Sequence, residues 1–205
     1  MTSSRRMAPP GSPIWHSMLD CTEDILREEG YGVLTSRRVA ERLGVKQRLV
    51  YYYFRSMDQL IADTFRRLAT RELEQLAKAL AGPLPLRDIW EVCVHTQDAR
   101  LVAEFIALAN RSESLRKEVV SYIEQSRKMQ VAALKKATLS VEAEDRLPLL
   151  AIAIFATSAA LTVHRESGIG VKMGHQQTLN VIRQFIERWE GPPERKVAKV
   201  TGALK

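Results

Sequence analysis

The sequence predicts an all-α fold, on three observations. Apolar residues recur at the three-to-four-residue spacing of helices through most of the chain, and no segment shows the alternation typical of a strand. Residues that favour helix starts precede several of these segments, and glycine or proline ends them. With 205 residues, 45% of them hydrophobic and 27% charged, the chain is long enough for one large or two small folded domains.

The first three helices are predicted from their caps. The first begins at Ser12-Pro13, a cap residue followed by a proline, and stops at Gly30. The second is capped by Thr35, and its apolar residues Val39, Ala40 and Leu43 are expected to face the core. The third covers about residues 47–54. All three are short, so they need a shared core to be stable.

A much longer fourth helix begins at Ser56, where the letters SMDQ fit a capping box, and continues to about Leu80. Five further helices are predicted at about residues 87–96, 98–110, 114–138, 145–167 and 175–189. The uncharged run from Leu147 to Val163 is marginally short for ~30 Å of hydrocarbon and carries three hydroxyl side chains. We therefore expect a buried interface helix there and no membrane contact.

The segment from Thr35 to Phe54, TSRRVAERLGVKQRLVYYYF, predicts a helix-turn-helix. Ala40 is small enough for close approach of the two helices, Gly44 suits the positive φ of a tight turn, and Val50 is the apolar residue that fixes the second helix. Such a module lays its second helix in the DNA major groove.

Charge is distributed unevenly around this segment. The whole chain has a formal charge of +7. Residues 14–34 contain one basic and five acidic side chains, whereas residues 35–55 contain six basic side chains and Glu41 as the single acid. This contrast favours an anionic partner for the second segment, although a basic patch by itself is equally suited to RNA or an anionic lipid.

The text from Leu34 to Phe65 resembles the TetR-type bacterial transcriptional regulators. The resemblance covers about the first third of the chain and is carried by a threonine cap, Val39-Ala40, Leu43-Gly44-Val45, Tyr51 with Phe54, and Leu60. It implies an N-terminal three-helix DNA-binding domain, joined by a long helix to a helical ligand-binding and dimerisation domain. It also implies a two-fold dimer through the last two helices, and repression of an operator that a small ligand relieves. The family usually has lysine where Met57 stands here, so Arg55 is the candidate for that phosphate contact.

The predicted DNA contacts follow from side-chain chemistry. Arg48 suits guanine, Gln47 suits adenine, and Leu49 suits the methyl group of thymine. Tyrosine hydroxyls and the start of the second helix suit phosphates, with a packed core aromatic as an equal alternative for Tyr51. Solvated surface positions are the alternative for Arg38 and Arg42. The predicted DNA-binding set is Thr35, Ser36, Arg37, Lys46, Gln47, Arg48, Leu49, Tyr51, Tyr52, Tyr53 and Arg55.

The resemblance also implies a small-molecule effector cavity among the later helices. Bulky aromatic, sulfur and small polar side chains at helical spacing are the candidates, because such cavities are mostly apolar with few polar groups. Plain core packing is the alternative for each of them. The predicted effector-binding set is Trp90, Cys93, Phe105, Tyr122, Ser126, Met129, Phe155 and Ser158. Its apolar character indicates a hydrophobic effector.

Other classes of function are less well supported. The four histidines form no metal-spaced pair and no motif with a nucleophile, so we expect no enzyme activity, catalytic residue, metal or cofactor. A helical adaptor protein is disfavoured by the basic segment with its interleaved tyrosines. Two cysteines in apolar patterns indicate free thiols in a reducing cytoplasm. The predicted divisions are a flexible tail over 1–12, the DNA-binding domain over 13–56, the effector and dimerisation domain over 57–190, and a second tail over 191–205.

Overall fold

The computed structural model describes residues 11–95, 99–137 and 148–190, and these residues form an all-α protein. The helices are α1 (Pro13–Glu28), α2 (Ser36–Leu43), α3 (Gln47–Tyr53), α4 (Met57–Ala81), α5 (Pro85–His95), α6 (Ala99–Ala109), α7 (Glu113–Ala137), α8 (Leu149–Gly168) and α9 (His175–Glu190), with a short 3-10 helix at Tyr31–Val33. The predicted tails lie outside the described residues, except for Gly11 and Ser12.

Side-chain caps define the starts of α1, α2 and α4. The hydroxyl oxygens of Ser12, Thr35 and Ser56 each accept a hydrogen bond from the backbone N–H three residues later. The capping box expected at Ser56 has a variant form, since Gln59 Oε1 accepts from the N–H of Arg55 at 2.9 Å, one residue before the cap. Each cap of this kind stabilises its helix by about 1 kcal/mol.

The N-terminal half of the molecule is organised around a first core, built from α1 to α4 together with α6 and the start of α7. Val39, Val50 and Phe54 bring α2 and α3 into this core, where Phe54 stacks on Trp15 at a ring-centroid distance of 6.1 Å. Phe105 of α6 is a buried member of the same core. The core that contains the helix-turn-helix therefore extends beyond the segment predicted as the DNA-binding domain.

A second core joins the end of α4 to α5, α7, α8 and α9. Its closing contact is between two helix ends: the carboxylate of Glu190 accepts hydrogen bonds from the backbone N–H groups of Leu86 at 2.6 Å and Arg87 at 3.0 Å. A carboxylate at the N-terminus of a helix is favoured both by the free N–H groups and by the helix dipole. Glu190 therefore holds the end of α9 against the start of α5.

The long helix α4 belongs to both cores. Leu60, Ile61 and Phe65 lie in the first core, and Leu76 and Ala79 lie in the second. Along its length α4 packs most extensively against α7. A change in the tilt of α4 would therefore be felt at α1 and, through it, at the helix-turn-helix.

The last two helices expose unusual amounts of apolar surface. Phe155 of α8 is 74% exposed, and Leu150 and Val181 are more than half exposed. Within the described residues, one helix, α8, is long and apolar enough to cross a membrane by length and composition. Few of its residues are buried in the single chain, so the expectation of a buried interface helix requires a partner surface that covers it.

Candidate nucleic-acid interface and ligand cavities

The turn between α2 and α3 has the geometry that the sequence predicts. Gly44 adopts a left-handed φ of 64°, and its N–H donates to the carbonyl of Glu41 while the N–H of Val45 donates to that of Ala40. Ala40 and Val50 are buried where the two helices meet. These contacts fix α3 as a short helix with one face on the first core and the other face in solvent.

The predicted DNA-contacting side chains of α3 divide into two groups. Lys46, Gln47, Arg48, Tyr51 and Tyr52 are exposed on the outer face. Leu49 and Tyr53 are half-buried and pack against the first core, so each offers a smaller surface to a partner than expected. Tyr51 is 39% exposed, which is intermediate between the two alternatives of the sequence analysis, a packed core aromatic and an exposed side chain free to contact phosphate.

Three polar side chains form a hydrogen-bonded chain between α2 and α3. Gln47 Nε2 donates to Ser36 Oγ at 2.8 Å, and Ser36 Oγ donates to Tyr51 Oη at 3.0 Å. Ser36 is only 4% exposed, so its side chain adds little to the phosphate site that is expected from the backbone N–H groups at the start of α2. Its hydroxyl is instead held between two predicted DNA contacts. The sequence shows no sign of this arrangement, because residues 36, 47 and 51 meet only after the turn folds.

Much of the basic charge of α2 is paired within the protein. Arg38 contacts Glu29 at 2.8 Å, Arg42 contacts Glu28 at 2.7 Å and Glu29 at 3.2 Å, and Arg37 pairs with Glu41 on its own helix. The acidic end of α1 thus neutralises arginines that the sequence pattern assigned either to DNA or to a solvated surface. Among the described residues, Lys46 and Arg48 form no such ion pair, which places the uncompensated charge at the start of α3.

Met57 stands at the position where the family usually has a lysine. Met57 is half-buried against the first core, and its side chain offers no charge. Arg55 is exposed two residues earlier, immediately before the cap of α4. It therefore stays the candidate phosphate contact at that edge of the interface.

The larger cavity has a volume of about 550 Å³ and lies between α5, α7, α8 and α9. Three predicted effector residues, Trp90, Cys93 and Phe155, line it. The wall is almost entirely apolar and includes Phe185 and Ile186 of α9. Phe155 lies at the mouth, since most of its side chain is exposed.

A smaller cavity of about 210 Å³ lies between α4, α6, α7 and α8, where Tyr122, Ser126 and Ser158 form part of its wall. The predicted set is therefore divided between two cavities. Phe105 and Met129 line neither of them. Phe105 faces Phe65 in the first core at a ring-centroid distance of 5.0 Å, and Met129 packs at the edge of the second core. Helical spacing alone did not distinguish these orientations.

Gln130 and Thr157 line both cavities, and sequence reasoning missed both residues. Gln130 Nε2 donates to Ser126 Oγ at 3.3 Å and approaches Cys93 Sγ at 3.8 Å. The Thr157 hydroxyl lies 3.2 Å from Gln130 Oε1. Burial raises the pKa of the Cys93 thiol to about 11, so the thiol stays protonated and acts as a weakly polar wall group. One sequence feature could have identified Gln130: it follows Ser126 by four residues, so both side chains lie on one face of α7.

Comparisons with known proteins agree with this architecture. Residues 18–64 match the family model of bacterial regulatory proteins, tetR family. A TetR transcription regulator from Haloarcula marismortui is 17% identical with a TM-score of 0.67, and the alignment covers 85% of this chain and 95% of that one. SmeT, the repressor of the Stenotrophomonas maltophilia multidrug efflux pump SmeDEF, is 16% identical with a TM-score of 0.62, covering 84% and 88%. No curated protein sequence matches the chain.

A further structure is that of a protein from Saccharomonospora viridis, described as a transcriptional regulator and crystallised with choline. It is 12% identical with a TM-score of 0.73, and the alignment covers 84% of this chain and 94% of that one. At these identities the structural likenesses show the fold. Together with the matched segment, they define a helix-turn-helix DNA-binding transcriptional regulator. Within that class, the matched segment is that of the tetR family.

Proposed function

We propose that this protein is a cytoplasmic repressor that binds a palindromic operator as a two-fold dimer and is released by a small hydrophobic effector. The observation that carries the DNA-binding part is the outer face of α3, where Lys46, Gln47 and Arg48 are exposed without an acidic partner among the described residues. Such side chains at the first turn of a recognition helix are placed to contact base edges.

Base readout is assigned to Arg48 and Gln47. A guanidinium pairs with the two acceptors of guanine, and an amide pairs with adenine, each with a discrimination of roughly 1–3 kcal/mol. Thr35, Arg37, Tyr51, Tyr52, Tyr53 and Arg55 are proposed to contact phosphates, which fixes the register of α3 on the duplex.

The dimer is proposed from the exposed apolar surface of α8 and α9. A two-fold contact buries the same surface on both subunits, and a four-helix arrangement would cover Phe155 and Val181 together. Two recognition helices related by such an axis fit half-sites separated by about one turn of DNA, ~34–36 Å, or somewhat more.

The effector is proposed to occupy the larger cavity. Its volume of about 550 Å³ falls within the usual range for small-molecule sites. A ligand that binds better to one tilt of α4 would shift the separation of the two α3 helices, with a coupling free energy of roughly 1–3 kcal/mol.

The first experiment is selection of bound duplexes from a random DNA library, followed by gel shifts of Arg48→Ala and Gln47→Ala on the selected sequence. We expect each variant to lose preference at one base pair per half-site, at a cost of roughly 1–3 kcal/mol. Lys128→Ala, an exposed cation on α7, is the matched control and should leave the preference intact. Unchanged base preference in both α3 variants would refute the readout assignment.

The second experiment titrates candidate effectors into the protein–operator complex. A compound that binds in the cavity should weaken operator affinity by about 5–150-fold if the coupling has its usual size. A compound that binds tightly while operator affinity stays constant would refute release by that ligand.

A further inference from the structure

The described wall of the larger cavity carries no charged side chain. Its lining residues are apolar, aromatic or uncharged polar, and the apolar ones dominate. The basic residue Arg127 lines the smaller cavity and not the larger one. An ion that moved from water into the larger cavity would therefore lose its hydration without gaining a counter-ion from this wall. The composition of the wall favours an uncharged ligand.

Three polar side chains of this wall lie next to one another: Cys93 of α5, Gln130 of α7 and Thr157 of α8. Gln130 is at the centre of this polar cluster and is only 6% exposed. Its Nε2 group donates to Ser126 Oγ at 3.3 Å and approaches Cys93 Sγ at 3.8 Å, so both N–H groups are directed at protein atoms. The carbonyl oxygen Oε1 is the remaining polar atom of this amide.

Gln130 Oε1 lacks a committed donor. The Thr157 hydroxyl lies 3.2 Å from it, but the same hydroxyl lies 2.8 Å from the carbonyl oxygen of Ala153. A hydroxyl has one hydrogen, and the shorter contact, to the carbonyl four residues earlier, is a common bond of threonine within a helix. Because that hydrogen is used within α8, Gln130 Oε1 is a buried acceptor without a donor among the described residues. Proteins rarely retain such acceptors, since each one costs stability.

We propose that the effector is an uncharged apolar molecule with one hydroxyl group, an alcohol or a phenol, whose O–H donates to Gln130 Oε1 while its apolar body lies in the larger cavity against α5 and α9. This inference rests on the effector cavity of the proposed function and specifies the ligand class. Gln130 lines the cavity directly, so a ligand there reaches its amide without passing another residue.

A hydroxyl group fits this place better than the common ionisable groups. It supplies the missing hydrogen, and its oxygen can accept from the thiol of Cys93, a weak donor on the other side of the amide. An amine is protonated at neutral pH and would bring a charge that this wall does not compensate. A carboxylate would bring a charge and no hydrogen, so Gln130 Oε1 would stay without a donor.

The test uses four probes with the same phenylbutyl body: phenylbutanol, its methyl ether, phenylbutylamine and phenylbutyrate. Each is titrated calorimetrically into the full chain at pH 7, where the amine and the acid are ionised. The wild-type protein is compared with Gln130→Met, which removes the acceptor, and with Thr157→Val. Gln125→Met, at an exposed glutamine of the same helix, is the matched control.

For wild type we expect the alcohol to bind about fivefold or more tightly than the ether, which has no hydrogen to donate, and about tenfold or more tightly than either ion. These ratios need no variant. A ratio of alcohol to ether near one, or an ion that binds as tightly as the alcohol, would overturn the proposal. Tightest binding of the acid would indicate Arg127 and the smaller cavity in place of Gln130.

In Gln130→Met the ratio of alcohol to ether should fall to about one, and Gln125→Met should behave as wild type. Thr157→Val should keep the wild-type ratio, because the hydrogen of Thr157 serves Ala153 and not Gln130. Binding of the ether reports whether each variant retains its cavity. A ratio that persists in Gln130→Met would show that another group receives the hydroxyl hydrogen.

The position of the apolar body is tested with one bulky substitution in each cavity. Ile182→Trp narrows the larger cavity and should weaken the alcohol and the ether alike, whereas Ile123→Trp narrows the smaller cavity and should weaken neither. The reverse result would place the ligand between α4, α6, α7 and α8 and refute the proposed location.

Operator affinity is measured separately with each probe. If the alcohol binds in a Gln130-dependent way and operator affinity does not change, the ligand class stands and the proposal of effector release fails. If the protein binds operator but does not prefer the alcohol, the regulator stands and the ligand class fails.

Discussion

Single polar side chains in this protein act largely through their neighbours. Ser36 shows this most clearly, because its position at the start of α2 predicts a surface contact, whereas its hydroxyl is buried between Gln47 and Tyr51. One N–H of the Gln47 amide is committed to Ser36. The second N–H and the carbonyl oxygen are left for a base, and these two atoms are the pair that recognises adenine.

We predict that Ser36→Ala weakens base discrimination at the position read by Gln47 without a matching loss of overall affinity. The amide would lose its fixed orientation, and part of the roughly 1–3 kcal/mol of discrimination would be lost with it. Competition gel shifts with single-base operator variants measure this. Tyr51→Phe would remove the proposed phosphate contact as well as the bond to Ser36, so it should lower affinity for all sequences. Full discrimination in Ser36→Ala would show that Ser36 has only a packing role.

The sequence predicted the helices more accurately than it predicted the DNA-contacting and cavity-lining residues. Caps at Ser12, Thr35 and Ser56 and the glycine at position 44 are local signals, so the predicted starts of α1, α2 and α4 agree with the structure within one residue. The 3-10 helix at Tyr31–Val33 was not predicted, since it has no periodic pattern of its own.

Contacts between helices could not be predicted from the sequence. The acidic run of α1 and the basic run of α2 were each recognised, but their mutual pairing through Glu29 depends on how the two helices cross. The effector set was divided for the same reason. Spacing along α6 and α7 does not reveal which core a face meets, so Phe105 was assigned to a cavity that it does not reach.

The contact between α1 and α4 gives a prediction at this scale. Glu23 is buried and accepts from Arg67 at 2.8 Å and from Arg71 at 2.7 Å, while Asp20 pairs with Arg67 at 2.6 Å. Glu23→Gln leaves both arginines with less compensation, and we expect the free energy of unfolding to fall by about 2 kcal/mol. Urea denaturation measures the change.

Asp24→Asn is the matched control for this variant, because Asp24 forms an exposed pair with Arg27 on the same helix. Its loss should cost less than about 1 kcal/mol. Equal effects of the two substitutions would mean that the α1–α4 cluster contributes no more than a surface pair. A second unfolding transition in Glu23→Gln would show that this cluster also couples the two cores.

The molecule as a whole is expected to function as a pair of chains. We predict that wild type sediments as a dimer at micromolar concentrations and that Phe155→Asp combined with Val181→Asp gives a monomer there, because two buried charges would replace apolar contacts on each subunit. Sedimentation velocity measures the mass, and circular dichroism checks that the helices are retained. Val120→Asp, on an exposed apolar site of α7, is the control. A double variant that remains dimeric would place the interface elsewhere.

The bond from Glu190 to the first turn of α5 limits how the larger cavity changes its size. This carboxylate joins the end of α9 to the start of α5, and both helices border the cavity. The cavity therefore resists opening between these two helices. A bulky occupant would then press on the other helices of the wall, among them α7, which carries Gln130 and packs extensively against α4. We therefore expect the strain caused by a large ligand to reach α4, the long helix that extends to the DNA-binding end of the protein.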